Sequence, residues 1–201
     1  MKKLIVLFLL APLSVFSQKQ KDEMVVTAGA GWSLIGALFS VSDVSGEVST
    51  SVSPVIHASF DYGLTKNMSI GAAFGYQRGV ATISDYEYYN SANQLVTENF
   101  EWKVSILNIG ARALFHYGRS EDFDMYSGVR FSYLSVNSEY ETNDTSFDGD
   151  AFDKLSGVGF QLVAFGARGY FTPNLGFNAE LAFGSPYFVM GGLNYRFGGG
   201  E

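Results

Sequence analysis

The chain has 201 residues, with 13 Lys and Arg against 20 Asp and Glu and a formal net charge of −7. That balance excludes the basic face a nucleic-acid partner requires. The absence of cysteine excludes disulfides, thiol chemistry, cysteine zinc sites and cysteine lipidation. Glycine (23), Phe (18) and Tyr (12) are abundant and Pro (4) is scarce, a composition that favours an all-β chain and a barrel in particular. Mean hydropathy of +0.08 suits strands that are apolar on one face only.

Lys2 and Lys3 precede an apolar run from Leu4 to Phe16, closed by Ser17. A basic start, a short apolar core and a small residue at the cut predict a secretory signal peptide over residues 1–17 and Sec-type export. Its removal leaves 11 basic and 20 acidic residues, or −9, in residues 18–201, which read as one domain. No later stretch is long and apolar enough to span a membrane as a helix.

Met24 to Ser40 reads as a first strand, with Val26, Ala28, Ala30, Trp32 and Leu34 on one face. A Ser/Val/Thr-rich loop is expected over 41–53. Pro54 to Leu64 alternates cleanly: Ile56, Ala58, Phe60, Tyr62 and Leu64 oppose His57, Ser59, Asp61 and Gly63. The turn Thr65-Lys66-Asn67 leads into Met68 to Gln77, which completes a hairpin. A long polar loop is expected over 84–99, containing Tyr86, Tyr88 and Tyr89. Phe100 to Tyr117 and Phe123 to Tyr140 form the next pair around a short polar turn. A second, acidic loop is expected over 141–154. Leu155 to Phe171 has a broken period that suggests a bulge, Thr172-Pro173-Asn174 turns, and Leu175 to Gly184 returns. Ser185-Pro186 leads into the last strand, Tyr187 to Phe197. There Tyr187, Val189, Gly191, Leu193, Tyr195 and Phe197 share a face.

The count is about eight strands in an up-and-down meander, with long and short connections alternating except at 185–186. Each strand has one oily face and one face of Gly, Ser, Asn and isolated charges. A soluble barrel has the same period. Two features favour a closed antiparallel transmembrane β-barrel: the sparse charge on the polar faces, and the aromatics near the turns (Tyr62, Tyr117, Phe123, Tyr170, Phe171, Tyr195 and Phe197).

With its leader, its loop alternation and its terminal Gly191-Gly-Leu-Asn-Tyr-Arg-Phe197, the chain resembles small outer-membrane β-barrel proteins of the OmpA-like membrane-domain, OmpX- and OmpW-like families over residues 24–197. The resemblance implies an integral outer-membrane location, contact with outer-membrane lipid and a last strand read by the barrel-assembly machinery. Phe197, with Tyr195 two residues before it, is then the candidate assembly signal. What carries over is the barrel and not a peptidoglycan-binding role.

The interior of an eight-stranded barrel is just wide enough for side chains. The inward candidates are His57, Asp61, Gln77, Asn108, Arg112, Arg130, Arg168, Asn178, Glu180, Asn194 and Arg196. Charges confined there must pair, because an unpaired buried charge is costly. Two outcomes follow: a polar plug, or a narrow pore lined by arginines that favours anions. His57 and Ser59 share a face and with an acid can make an acyl-transfer pair; interior hydrogen bonding is the plainer reading. Asp148 and Asp150, in the acidic loop, suit either calcium or plain solvation. Tyr86, Tyr88 and Tyr89 suit either a surface contact or an upper girdle. No phosphate loop or metal-ligand set stands out, and no cofactor is expected. The chain is expected to be a monomer, to bind no nucleic acid, and to meet any surface ligand through loops 41–53, 84–99 and 141–154.

Overall fold

A computed structural model describes residues 22–33, 47–89, 93–120, 122–142 and 155–198. The expected signal peptide, the extension of the first strand to Ser40, and Asp148 and Asp150 lie outside the described residues.

Nine strands are present among the described residues: β1 (Met24–Trp32), β2 (Glu47–Val52), β3 (Val55–Gly63), β4 (Met68–Tyr89), β5 (Leu95–Arg119), β6 (Phe123–Thr142), β7 (Leu155–Tyr170), β8 (Leu175–Gly184) and β9 (Val189–Phe197). All pairings are antiparallel. Eight strands close a ring in the order β1-β3-β4-β5-β6-β7-β8-β9, with β9 returning to β1 from Met24↔Phe197 to Trp32↔Val189. Closure pairs the backbone groups of both terminal strands, which lipid requires. β2 stands outside the ring, above β3, and pairs with the upper part of β4.

Two of the three short turns share one construction. Thr65 Oγ1 accepts the backbone N–H of Met68 at 3.1 Å, and Thr172 Oγ1 accepts that of Leu175 at 2.9 Å. A hydroxyl thus replaces a backbone carbonyl in closing each turn. Each turn is also stitched to a later strand: Asn67, Asp122 and Asn174 carbonyls accept the N–H of His116, Tyr170 and Arg196. These bonds tie neighbouring hairpins together at the short-turn end.

Along the ring, Phe60, Ile70, Phe74, Ile109, Phe131, Phe177 and Leu193 point outward and are exposed, while the alternate positions are buried. An inverted core of this kind is stable only with lipid around it. The fold is therefore a transmembrane barrel.

Four expectations are corrected. First, the polar loop over 84–99 is mostly strand: β4 runs to Tyr89 and β5 begins at Leu95. Second, β2 occupies 47–52 within the expected 41–53 loop. These segments lack the oily face of a lipid-exposed strand because they stand beyond the apolar band. Third, Tyr170 does not join the outer girdle but is buried inside, 7% exposed. It shares the parity of Arg168, past a bulge at Ala164 in β7, where the register shifts between Val163 and Phe165. Beyond it Gly166, Arg168 and Tyr170 all face inward. Fourth, β9 begins at Val189, and Tyr187 turns into the barrel, 1% exposed.

The polarity of the wall inverts with height. On β5, Ile109, Ala111, Ala113 and Phe115 face out while Asn108, Arg112 and His116 face in. Higher up the same alternation puts Ser105, Lys103 and Glu101 outside and Ile106, Val104, Trp102 and Phe100 inside. The crossing lies between Leu107 and Ser105 and marks the upper edge of the apolar band. Above it β2, β4, β5 and β6 form a raised four-stranded sheet.

Candidate functional site

The inward positions of β3, β5, β6, β7 and β8 bring the predicted charges together. Asp61 accepts Arg112 Nε at 2.6 Å and also Arg112 Nη2. It accepts Arg168 Nη2 at 2.5 Å as well. The other nitrogen of the fork, Arg112 Nη1, donates to Glu180 at 3.0 Å. Glu180 accepts two phenols besides, Tyr126 at 2.7 Å and Tyr187 at 2.5 Å. The Arg168 guanidinium lies 4.7 Å from the Tyr126 ring centroid. Two carboxylates are therefore satisfied by two guanidiniums and two hydroxyls, all buried in the interior. This is the condition under which buried ions are tolerated.

Space for these groups comes from inward glycines. A Cβ at Gly166 would collide with the Tyr126 ring, and one at Gly71 would collide with Asp61.

Arg130 sits in the next layer and has no carboxylate of its own. Its Nη1 donates to Gln161 and its Nη2 to His57 Nδ1, both at 3.4 Å, with the Tyr187 ring 5.8 Å away. Gln161 Nε2 donates to the Tyr187 carbonyl at 2.7 Å, which holds the 185–187 turn inside the mouth. Pro186 of that turn packs over Gly75. The one short connection at the tall end thus folds inward as a stopper.

The remaining candidates divide. Gln77 accepts Ser33 Oγ at 2.7 Å and donates to the Ser53 carbonyl at 3.0 Å, tying β4 to β1 and to the β2–β3 joint. Asn108 approaches Ser185 Oγ at 3.5 Å, Asn178 approaches Met190 sulfur at 3.6 Å, and Asn194 is buried in the wall opposite Thr27 and Gly176. Arg196 is separate. It is half-buried at the short-turn rim, donates to the Pro173 carbonyl and lies 4.0 Å from the Tyr170 ring.

One set of residues escaped the sequence reading. His116 is fully buried; its Nε2 lies 2.8 Å from Ser69 Oγ and its Nδ1 2.9 Å from Asp124. The order Ser–His–Asp is that of an acyl-transfer relay. Yet Ser69 and His116 are both 0% exposed, so no substrate carbonyl reaches the hydroxyl. The set acts as a strut between β4, β5 and β6. His57 and Ser59 both face inward, and His57 is engaged by Arg130 and stacks edge-on against Tyr187.

Of the three loop tyrosines, Tyr86 and Tyr88 stack at 6.2 Å on the inner face of the raised sheet. The ladder continues from Tyr86 to Phe100 and from Phe100 to Tyr140, at 5.7 Å each. Tyr89 is on the opposite face and 68% exposed. The outer face of the sheet is charged: Lys103 bridges Glu101 at 3.2 Å and Glu141 at 2.5 Å, and its ammonium is held above the usual lysine range by the bond to Glu141. The Tyr140 phenol is pushed up by burial and then by the charge of Glu98.

Fold and interior together define a small transmembrane β-barrel with an ionic core. The architecture is that of small outer-membrane β-barrel proteins. The chain is similar to the N-terminal β-barrel domain of Pseudomonas aeruginosa OprF, at 14% identity over 89% of this chain and 100% of that one, TM-score 0.49. It is similar also to Ail, the attachment invasion locus protein of Yersinia pestis, at 12% identity over 88% and 99%, TM-score 0.45. A third is outer membrane protein W of Escherichia coli, at 14% identity over 89% and 99%, TM-score 0.43. No family model and no curated protein sequence matches the chain.

Proposed function

We propose that the protein is a non-enzymatic, monomeric outer-membrane protein whose barrel is a sealed anchor and whose raised sheet is a recognition surface. Export follows the Sec route, and the assembly machinery reads β9 through Tyr195 and Phe197. The short turns lie in the periplasm and the raised sheet stands outside the cell.

The observation that carries this reading is the Asp61–Arg112–Glu180 bridge. It crosses from β3 through β5 to β8 and, with Arg168, Tyr126 and Tyr187, leaves the midsection filled. An eight-stranded barrel has room for little else. A blocked interior directs any function to the exposed end.

The test is single-channel recording in a planar bilayer with protein whose unboiled band shifts on a denaturing gel. Silence is the expected result. Steady, reproducible current steps that change on replacing Arg112 or Arg130 would overturn the seal and make the arginines the lining of an anion-favouring pore.

A further inference from the structure

We propose that the inner face of the raised sheet binds an extended, lysine- or arginine-rich peptide segment of a partner protein. The proposal rests on the reading of that sheet as a recognition surface and names its ligand. Three observations support it.

The first is the aromatic ladder itself. Tyr88, Tyr86, Phe100, Tyr140 and Trp102 follow one another on a single face, because Trp102 pairs with Tyr140 and Tyr86 with Glu98. Electron-rich ring faces attract cations. The second is the way the ladder is built. From Ile83 to Tyr86, β4 spends one residue more than β5 does from Phe100 to Glu98. Asp85 holds this bulge with φ of +54° and donates its N–H to Asn99 Oδ1 at 3.0 Å. Were Ile83 to Tyr86 to alternate regularly with no bulge, Tyr86 and Tyr88 would point to the outer face. The bulge therefore assembles the ladder and has no part in closing the barrel.

The third observation is charge. The raised strands carry Glu47, Asp85, Glu87, Glu98, Glu101, Glu139 and Glu141 against only Arg78 and Lys103. Glu98 lies on the ladder's side of the sheet but is buried, 9% exposed, and its charge is felt at Tyr140. A sheet is one backbone thick, so the carboxylates behind it also lie within a Debye length of a ligand in front. Rings plus net negative potential select a cation and reject an anion.

The test uses full-length protein in phosphatidylcholine nanodiscs, with empty nanodiscs as control and the gel shift as proof of folding. The probes are a fluorescent peptide of alternating lysine and serine, its glutamate–serine counterpart, and a neutral glucose oligomer. The lysine peptide is expected to bind, more weakly as salt rises, and the glutamate peptide not to bind. The double variant Tyr86→Ala/Tyr88→Ala is expected to weaken lysine-peptide binding about tenfold, the loss of two cation–π contacts. Equal binding of both peptides, or lysine-peptide binding indifferent to the tyrosine pair, would overturn the proposal. Glucose-oligomer binding that depends on those tyrosines would overturn the peptide but keep the recognition surface. Both fall if no probe binds and exchanging residues 80–103 for a short turn leaves the adhesion of whole cells to host or abiotic surfaces unchanged.

Discussion

Arg112 reaches two carboxylates carried by strands on different sides of the barrel, Asp61 on β3 and Glu180 on β8. Only the planar guanidinium fork can do both, since lysine offers a single charged point. Arg112→Ala leaves both buried acids short of a partner. The expected loss is about 3–5 kcal/mol, the range for breaking one side of a buried ion pair. The midpoint of urea unfolding from lipid vesicles measures it. Arg112→Lys should fall between wild type and alanine, keeping charge but losing one of the two bridges. A loss below about 1 kcal/mol for the alanine variant would mean that the ions contribute no more than a surface pair. Glu180 also explains why Tyr126 and Tyr187 are tyrosines. A buried phenol is favoured where its hydroxyl has an acceptor, and each has one here.

At the scale of strands, bulges decide which residues meet. Ala164 redirects the end of β7 and carries Arg168 and Tyr170 inward, with the freed Ala164 carbonyl accepting Ser127 Oγ at 2.7 Å. Asp85 redirects the top of β4. Asp85→Val keeps the residue count but puts a branched side chain where φ is +54°; it should flatten the bulge into simple alternation, turn Tyr86 and Tyr88 outward and dismantle the ladder. Near-ultraviolet circular dichroism should then lose the signal of the stacked rings while the gel shift persists. An unchanged spectrum would show that the ladder does not depend on the bulge.

Bulges also mark where the sequence was legible. The period-two pattern of Ile56 to Leu64 and of Leu175 to Phe183 sufficed to place Asp61, Asn178 and Glu180 inside, because no register shift interrupts them. Tyr170 has the parity of the inward Arg168 and was misplaced because an aromatic beside a turn reads as part of the girdle. His116 and Asp124 were missed for another reason. Leu114 breaks the polar face of β5 below Arg112, and the extra residue at Tyr117 hides the alignment of His116 with β6. The height of β4, β5 and β6 was hidden because strands in water need no oily outer face. Their signal, an inversion of polarity along one strand, is visible in Phe100 to Ile109 once both faces are followed together.

The whole molecule is a ring whose first strand pairs with its last. β1 has β3 on one side and β9 on the other, and β9 has β8 and β1. Until β9 arrives, β1 and β8 each present an unpaired edge of matching register. The edge that best fits an unfinished chain is the same edge on another unfinished chain. Crowded refolding should therefore yield exchanged dimers, in which the ninth strand of one copy completes the wall of its neighbour. Their share should rise with protein concentration at the start of refolding and be fixed once lipid encloses them. Size separation of samples folded dilute and concentrated measures this, and a constant share would show that each chain closes on itself before it can meet another. Joining the N- and C-terminal strands in one seam spares the finished barrel any open edge, and it makes solitude during assembly a condition of correct folding.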